Sequence, residues 1–511
     1  MEILVTCSAF TILAITLIAI ILAKLITVIY RKQTYWKSRQ VPYIRSVPIL
    51  GVMWKFFFRR ITILELSDEM YNSYPNARYV GFISAIFPAV LIRDPDLIRD
   101  VAVKYFDHFT DRYNFVNEEI EPMFGKSLSL LRGERWKEMR NILSPSFTAS
   151  KMRFMFQLVS KCSQDFVDYL VEHPEYSSFI EAKDAFARYT NDVIFTVAFG
   201  INVNSLKDRE NEYFVRGKTI FDDIFGSIFK VLIINTCPAF AKMIGMKIVS
   251  PATTSLFRRT ISDALKTRRE QGIVRPDMLH LLMQAKDKDS ETELTVDDIV
   301  SQAFTFFLAG FDSSSTMMCF MVYELALNPD IQEKLRNEVD QYFDETNGEI
   351  NYETLSKMEY MDMVVSETNR KHTFSVFIDR VCTQEFELPP AEPGYNSVTI
   401  KPGDCVWFPD YALHHDPKYF PDPEKFDPER FNEENKGNIL PYTYLPFGVG
   451  PRQCIGNRFA LMEIKILMVH LLRKFVIKPN EKTSVPLVFK KANFALVPVD
   501  GWWFSLEKRK F

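Results

Sequence analysis

Phe447-Gly448-Val449-Gly450-Pro451-Arg452-Gln453-Cys454-Ile455-Gly456 is the most informative stretch of this 511-residue chain. One cysteine follows a glycine-rich turn, with an arginine two residues before it and a glycine two residues after it. Glycines let a backbone come close to a flat ligand. Free amide N–H groups beside a sulfur stabilise its negative charge, and an arginine in the same loop offers a cation to a ligand carboxylate. These are the surroundings that a metal-binding thiolate needs beside a planar macrocycle. The bland alternative is an inert cysteine in a glycine-rich loop.

Three further patterns lie upstream. Thr295 and Asp298 form a capping-box start to an apolar run that ends before Asn328-Pro329. The spacing predicts a helix over Val296–Leu327 of about 48 Å, long enough to cross a domain. Its middle reads Ala309-Gly310-Phe311-Asp312-Ser313-Ser314. Gly310 weakens the helix and lets a ligand approach the backbone. The hydroxyl beside it can disturb the i→i−4 ladder and hold a water, so an acid and a hydroxyl, Asp312 and Ser313, are placed for proton delivery. Next, Glu367 and Arg370 share one helix face at i, i+3, and Arg430 in Pro428-Glu429-Arg430-Phe431 is a candidate second partner for a structural lock. Finally, Trp136 and Arg140 share a helix face at i, i+4.

Together these segments resemble the cytochrome P450 family. Phe447–Gly456 fills every specified position of its FxxGxRxCxG loop. Residues 309–314 resemble its oxygen-activation motif, with Ser313 where threonine is usual. Glu367, Arg370 and Arg430 resemble its ExxR and PERF elements, and Trp136 and Arg140 its WxxxR. The resemblance implies a heme b cofactor with Cys454 as axial iron ligand. Trp136, Arg140, Arg380, Phe447, Arg452 and Gly456 would surround the heme, Asp312 and Ser313 would move protons, and the triad would be structural. It implies NADPH–cytochrome P450 reductase and cytochrome b5 as electron partners, and closest similarity to microsomal, insect-type monooxygenases of xenobiotics or lipids. Aromatic candidates for the substrate pocket are Phe115, Phe307, Phe311, Phe374 and Phe494. A heme-thiolate isomerase or dehydratase acting without O2, and a non-catalytic heme protein, are the other classes.

One segment departs from the family. Where many relatives have leucine and then prolines, this chain has Asn369 and Lys371-His372-Thr373-Phe374. A buried asparagine must be hydrogen-bonded. Loss of the prolines is expected to loosen a stretch that, by the resemblance, lines the substrate cavity.

Composition fits this reading. Sixty-two basic against 65 acidic residues, a net charge of −3, argue against a general nucleic-acid binder. The seven cysteines are odd in number and show no CxxC spacing, which argues against a disulfide framework or a zinc site. Ile3 to Ala23 is 21 residues without charge, about 32 Å as a helix against a hydrocarbon core of about 30 Å. Arg31, Lys32, Lys37 and Arg39 follow it, so residues 1–30 are expected to anchor the chain in the endoplasmic reticulum membrane with the remainder cytosolic. Residues 31–51, basic and broken by Pro42, Pro48 and Gly51, are expected to be a stiff linker. Residues 52–511 are expected to form one mainly α catalytic domain with small β-sheets. A short sheet is expected around Phe82–Asp94, a strand at Ser397–Ile400, a helix over Gly456–Phe475 and irregular strands after Lys478. His414 and His415 read as surface histidines, having no spaced metal-ligand partners. Residues 224–248 are apolar around Pro238 and, by the resemblance, fall where a loop dips into the bilayer. Lys137, Lys151, Arg153, Arg458 and Lys465 are either a basic docking face or a solvated scatter of charge.

Overall fold

The β-branched and aromatic run that precedes Asp94 forms two antiparallel strands, β1 (Tyr79–Ser84) and β2 (Phe87–Ile92), with Tyr79 opposite Ile92. They belong to a computed structural model that describes residues 15–16, 19–20, 23–24, 27, 30–31, 33–48, 50–84, 87–114, 116–225 (221–225 by backbone only), 230–231, 233–234, 237–287 and 294–510. The remaining strands are β3 (Ile180–Glu181), β4 (Ile378–Val381), β5 (Phe386–Leu388), β6 (Val398–Ile400), β7 (Cys405–Phe408), β8 (Phe475–Pro479) and β9 (Trp503–Lys508). They make three small sheets, ordered β1-β2-β7-β4, β3-β9-β8 and β5-β6. The β2–β7 pair is parallel and the β7–β4 pair antiparallel, which places Arg380 on the edge strand.

Helices dominate the remainder. Eight of the longer ones position the site: α1 (Gly133–Leu143), α2 (Ala149–Glu172), α3 (Ala182–Ile194), α4 (Pro251–Glu270), α5 (Met278–Asp287), α6 (Val296–Leu327), α7 (Glu359–Lys371) and α8 (Asn457–Lys474). The long helix α6 has the bounds that its capping box and Asn328-Pro329 predict. The Thr295 hydroxyl accepts from the Asp298 N–H at 3.2 Å, and the Thr295 N–H donates to Asp298 Oδ2 at 2.9 Å. Residues around most of the α6 circumference are buried, as a helix through the middle of a domain requires. It packs on α3, α4, α7 and α8, and α2 lies across α8. The main apolar core surrounds these helices, and a second one backs the four-stranded sheet.

The stretch expected to be a linker is packed onto that sheet. Trp36 is buried, donates its indole N–H to the Phe82 carbonyl at 2.7 Å, and lies against Gly81, where a Cβ would come within 2.6 Å of its ring. The Tyr35 hydroxyl donates to Asp404 Oδ2 at 2.7 Å. Tryptophan and tyrosine carry enough apolar area to convert a polar, proline-broken segment into part of the core. The apolar run Ile3–Ala23 lies largely outside the described residues, and no helix among those described is long and apolar enough to cross a membrane. Residues 224–248 are described only in part.

Behind the site, Glu367 and Arg370 form a fully buried bidentate pair, with Nε···Oε2 at 2.7 Å and Nη2···Oε1 at 2.8 Å. Arg430 Nε approaches Glu367 Oε1 at 3.4 Å, and the Asp427 N–H donates to the same oxygen at 2.9 Å. Arg370 also donates to the carbonyls of His414 (2.9 Å) and Pro423 (2.7 Å). His414 is therefore no surface residue. The short helix Asp410–His414 packs below α7, burying its ring completely, and His414 Nε2 accepts the Leu445 N–H at 2.8 Å. His415 is half-buried beside it. Removing one member of a buried ion pair leaves an uncompensated charge. Arg370→Ala is therefore expected to cost about 3–5 kcal/mol, read as a lowered denaturant midpoint. Lys425→Ala, on an exposed pair with Asp427, should change it by less than about 1 kcal/mol.

Candidate active site

Two glycines with left-handed backbone shape the cysteine loop: Gly448 at φ +78° and Gly450 at φ +72°. A Cβ on Gly450 would lie 2.0 Å from the Ala102 carbonyl oxygen, so no other residue fits. The turn closes with the Cys454 N–H donating to the Phe447 carbonyl at 2.8 Å. Helix α8 begins three residues after Cys454, with Gly456 as its N-cap. Burial raises the Cys454 thiol above its usual value, while the Gly456 N–H and the charges of Arg140 and Arg112 work to lower it. The sulfur-bearing residue is both deep in the fold and accessible, because it faces an internal cavity and not the outer surface.

That cavity holds about 1180 Å3 of empty space, counting the part continuous with solvent. Apolar side chains make much of its wall, among them Leu128, Met155, Ile194, Val197 and Phe306. Cys454 and Gly456 line it together with Ala309, Gly310, Ser313 and Ser314 of α6. Phe306 stacks on Phe147 at 5.9 Å and 10°. Phe447 lies half-buried at the start of the cysteine turn.

Guanidinium groups gather beside the cysteine. Arg112, Arg140 and Arg452 line the cavity, with Trp136 below them, and the Arg452 guanidinium carbon lies 3.9 Å from the Trp136 ring centroid. Arg452 donates to the carbonyls of Thr110 (2.7 Å) and Leu131 (2.8 Å), leaving Nη1 without a partner. Arg380 is wholly buried and donates to the carbonyls of Asp379 (2.6 Å) and Val449 (2.8 Å), leaving Nε without one. Burial, with the nearby charge of Arg112, pushes both Arg380 and Arg452 down to about 9. Two carboxylates attend these four cations, Asp111 at 3.7 Å from Arg452 and Asp379 beside Arg380. Four positive against two negative charges leave two in excess. Buried donors without acceptors and two unmatched positive charges fit a flat ligand carrying two carboxylates. Arg112 was not singled out from the sequence; only its place in the fold, donating from Nη2 to the Arg452 carbonyl at 3.1 Å, marks it.

Other expected site residues are placed differently. Ser313 lines the cavity and donates its hydroxyl to the Ala309 carbonyl at 2.5 Å, four residues back. Asp312 is not part of the lining; its Oδ1 accepts from Lys183 Nζ of α3 at 2.7 Å. Gly310 serves helix packing: its Cβ position is taken by Ile194, whose Cδ1 would be 2.3 Å away. Phe307 and Phe311 are core residues, their rings tilted against each other at 5.2 Å and packed, respectively, on Phe257 at 5.0 Å and Phe214 at 6.0 Å. Residues 305, 306, 309, 310, 313 and 314 of α6 face the cavity, and Phe307 and Phe311 are not among them. Phe374 is exposed, Phe494 packs on Phe56 at 4.7 Å, and neither lines the cavity. Phe115 lies outside the described residues.

A family model described as Cytochrome P450 matches residues 71–501, and the chain belongs to that family. It is 44% identical to Cytochrome P450 9e2 of Blattella germanica over 93% of this chain and 94% of that protein. It is 38% identical to Probable cytochrome P450 9f2 of Drosophila melanogaster, covering 93% and 95%, and 35% identical to Cytochrome P450 6j1 of Blattella germanica, covering 94% of each. The protein is thus a heme-thiolate monooxygenase of a mainly helical fold with small sheets, a class that takes electrons from redox partners and acts on small molecules.

Helix α8 also carries Glu463, which is fully buried, and neither of its oxygens has a hydrogen-bond partner. Ser314 faces it, although not within bonding geometry. Burial pushes Glu463 up to about 8. The folded protein then holds a proton that the unfolded chain releases near 4.5. The native state binds more protons between these values, so stability falls as pH rises from about 5 to 8, by a few kcal/mol from this group. Glu463→Gln should remove that slope. Unfolding midpoints of the two proteins should lie close at pH 5 and favour the variant at pH 8; parallel curves would contradict a protonated Glu463.

Proposed function

We propose that this protein is a membrane-bound monooxygenase that oxidises apolar small molecules of the xenobiotic or lipid-like class, at the endoplasmic reticulum. NADPH–cytochrome P450 reductase supplies its electrons and cytochrome b5 is an accessory donor. One observation carries the reading: Cys454, Ser313 and the guanidiniums of Arg112, Arg140 and Arg452 line one cavity whose remaining wall is largely apolar.

Cys454 is the residue assigned to the heme iron, held by the Phe447–Gly456 turn and stabilised as thiolate by the Gly456 N–H and the α8 N-terminus. Arg112, Arg140, Arg380 and Arg452, with the Trp136 indole, would hold the two propionates, offering them cations and N–H donors. Bound heme supplies the transfer of one oxygen atom from O2 to substrate, the other leaving as water with two electrons and two protons taken up. Ser313 holds a water or a proton next to the reacting atoms, its hydroxyl leaving the Ala309 carbonyl to do so. Asp312 is the acid that resupplies it. Leu128, Met155, Val197 and Phe306 exclude water and favour apolar substrates.

The test is the reduced, CO-bound spectrum of the wild type and Cys454→Ala, with NADPH-dependent oxidation of an apolar compound panel in the presence and absence of added reductase. The wild type should give a thiolate-type Soret band and reductase-dependent turnover. Cys454→Ala should lose the band and at least about 100-fold of the turnover. A thiolate-type band that survives in the variant would move the ligand elsewhere, and turnover independent of NADPH and reductase would overturn the electron source.

A further inference from the structure

Asp410 and His414 are both wholly buried, one turn apart on the short helix Asp410–His414, with Asp410 Oδ1 3.1 Å from His414 Nε2. That distance suits a hydrogen bond, and the neighbours decide which atom carries the proton. The Leu445 N–H donates to the same Nε2 at 2.8 Å, so Nε2 presents its lone pair and the ring's own proton sits on Nδ1. A proton on Nε2 would set two donors against each other. Nδ1 has no partner, so it does not favour either tautomer. An ionised Asp410 would in turn set a carboxylate oxygen against the ring's lone pair, and Oδ1 has no hydrogen-bond donor among the described residues. The other oxygen, Oδ2, accepts from the Thr373 hydroxyl at 2.9 Å. Charged and titratable groups on the surrounding elements are engaged elsewhere. Arg370 of α7 binds Glu367 and the His414 carbonyl, Tyr444 donates to the Ser366 carbonyl at 3.0 Å, Tyr71 donates to Asp416 Oδ2 at 2.6 Å, and Asp68 acts on Tyr411. Burial pushes the Asp410 carboxyl well above its usual range and keeps His414 neutral.

We propose that Asp410 is a positioning residue held as an undissociated acid, whose O–H donates to His414 Nε2 and fixes the imidazole that orders the cysteine turn through the Leu445 N–H. The Thr373 hydroxyl completes the unit by serving the other oxygen of the acid. It stands where many relatives carry a proline, a residue with no donor to offer. From Leu445 the restraint passes on, because the Gly448 N–H donates to the Leu445 carbonyl at 2.9 Å within the turn that presents Cys454. An acid and an imidazole that share one proton are neutral, as a buried pair without a counter-charge must be. The folded chain therefore binds this proton more tightly than the unfolded chain, whose carboxyl titrates near 3.8. The native state holds the extra proton above that value, so the stability that Asp410 contributes is lost as pH rises. The proton on Asp410 does not depend on the monooxygenase reading; only the spectral readout below rests on Cys454 as the heme ligand.

The test uses full-length protein with Asp410→Asn and Asp410→Ala. The first readout needs no heme. It is the infrared difference spectrum of wild type minus Asp410→Asn at pH 8, where Asp68 and Asp192, each raised to about 6, are ionised. The spectrum should show the carbonyl stretch of one undissociated carboxylic acid; Glu463 cancels because both proteins carry it. A carboxylate band in its place would overturn the proposal. Should Asp410→Asn fold poorly, wild type grown on isotope-labelled aspartate gives the same answer through the shift of its acid band. The second readout is the rate at which the thiolate-type reduced, CO-bound band is lost on mild heating. Asparagine keeps a donor for His414 and an acceptor for Thr373 at nearly the same volume. Its rate should therefore stay within about 1.5-fold of wild type, whereas Asp410→Ala should lose the band about threefold faster or more. Loss as fast in Asp410→Asn as in Asp410→Ala would refute the positioning role even with the acid band present. An acid band without a thiolate-type spectrum in any of the three proteins would support the Asp410 proton and count against the heme assignment alone.

Discussion

The buried Glu367–Arg370 pair is the constraint to which the cysteine loop is tied. It stands at the head of a continuous chain of hydrogen bonds. Glu367 holds Arg370 and the Asp427 N–H; Arg370 holds the His414 carbonyl; His414 Nε2 holds the Leu445 N–H. Leu445 enters the turn in which Gly448 bonds back to it at 2.9 Å and Cys454 bonds back to Phe447. A loop of glycines has little stiffness of its own. The ion pair supplies that stiffness from behind, at the expense of desolvating two charges, which only near-ideal geometry and further hydrogen bonds offset. Both conditions are met here: the pair is bidentate, and the carbonyls of His414 and Pro423 accept further bonds from Nη1 and Nη2.

The cationic side of the cavity obeys the opposite logic. Arg112, Arg380 and Arg452 each bury a nitrogen that has no partner, in a place where such groups are costly. Native structures keep few of these, and they concentrate at functional sites. A dianionic, flat ligand removes the cost at once by matching charge and accepting hydrogen bonds. The Cys454 turn and the guanidiniums therefore form one binding unit, although residues from 112 to 454 contribute to it.

Much of this was legible in the sequence because it is local. A capping box and an Asn-Pro stop set α6 to the residue, and a glycine-spaced cysteine turn needs only its own chain. What was not legible depends on which neighbour a residue meets. Phe307 and Phe311 differ from the cavity stripe by one position around the helix, and only the packing of α3 and α4 shows which stripe faces the space. Asp312 is adjacent to Ser313 in sequence yet leaves the cavity for Lys183, 129 residues away. His414 reads as polar loop until Arg370 and Leu445 close on it, and Arg112 has no local signature at all.

The segment that departs from the family shows how one kind of restraint replaces another. Prolines restrict a chain covalently; residues 369–373 achieve it by contacts. Asn369 Nδ2 donates to the Val365 carbonyl at 2.9 Å, which satisfies a buried amide within its own helix. His372 stacks on Phe320 of α6 at 4.3 Å and 9°, and its Nε2 lies 2.5 Å from Glu324 Oε1, which Lys371 also approaches at 3.0 Å. Burial works to raise Glu324, but the His372 hydrogen bond and the neighbouring Lys371 ammonium outweigh it and hold the carboxyl below its usual range. Burial likewise keeps His372 neutral, so that it donates to an ionised Glu324 whose counter-charge is Lys371. Thr373 donates to Asp410 Oδ2 at 2.9 Å. The expected loosening is therefore absent from this stretch: it is tied to α6 on one side and to the helix below the triad on the other. Because α6 also carries Ser313 and the Lys183-bound Asp312, the same helix is restrained at its C-terminal end by Glu324 and at its middle by Lys183, leaving the Ala309–Ser313 stripe as the part of it that faces the ligand.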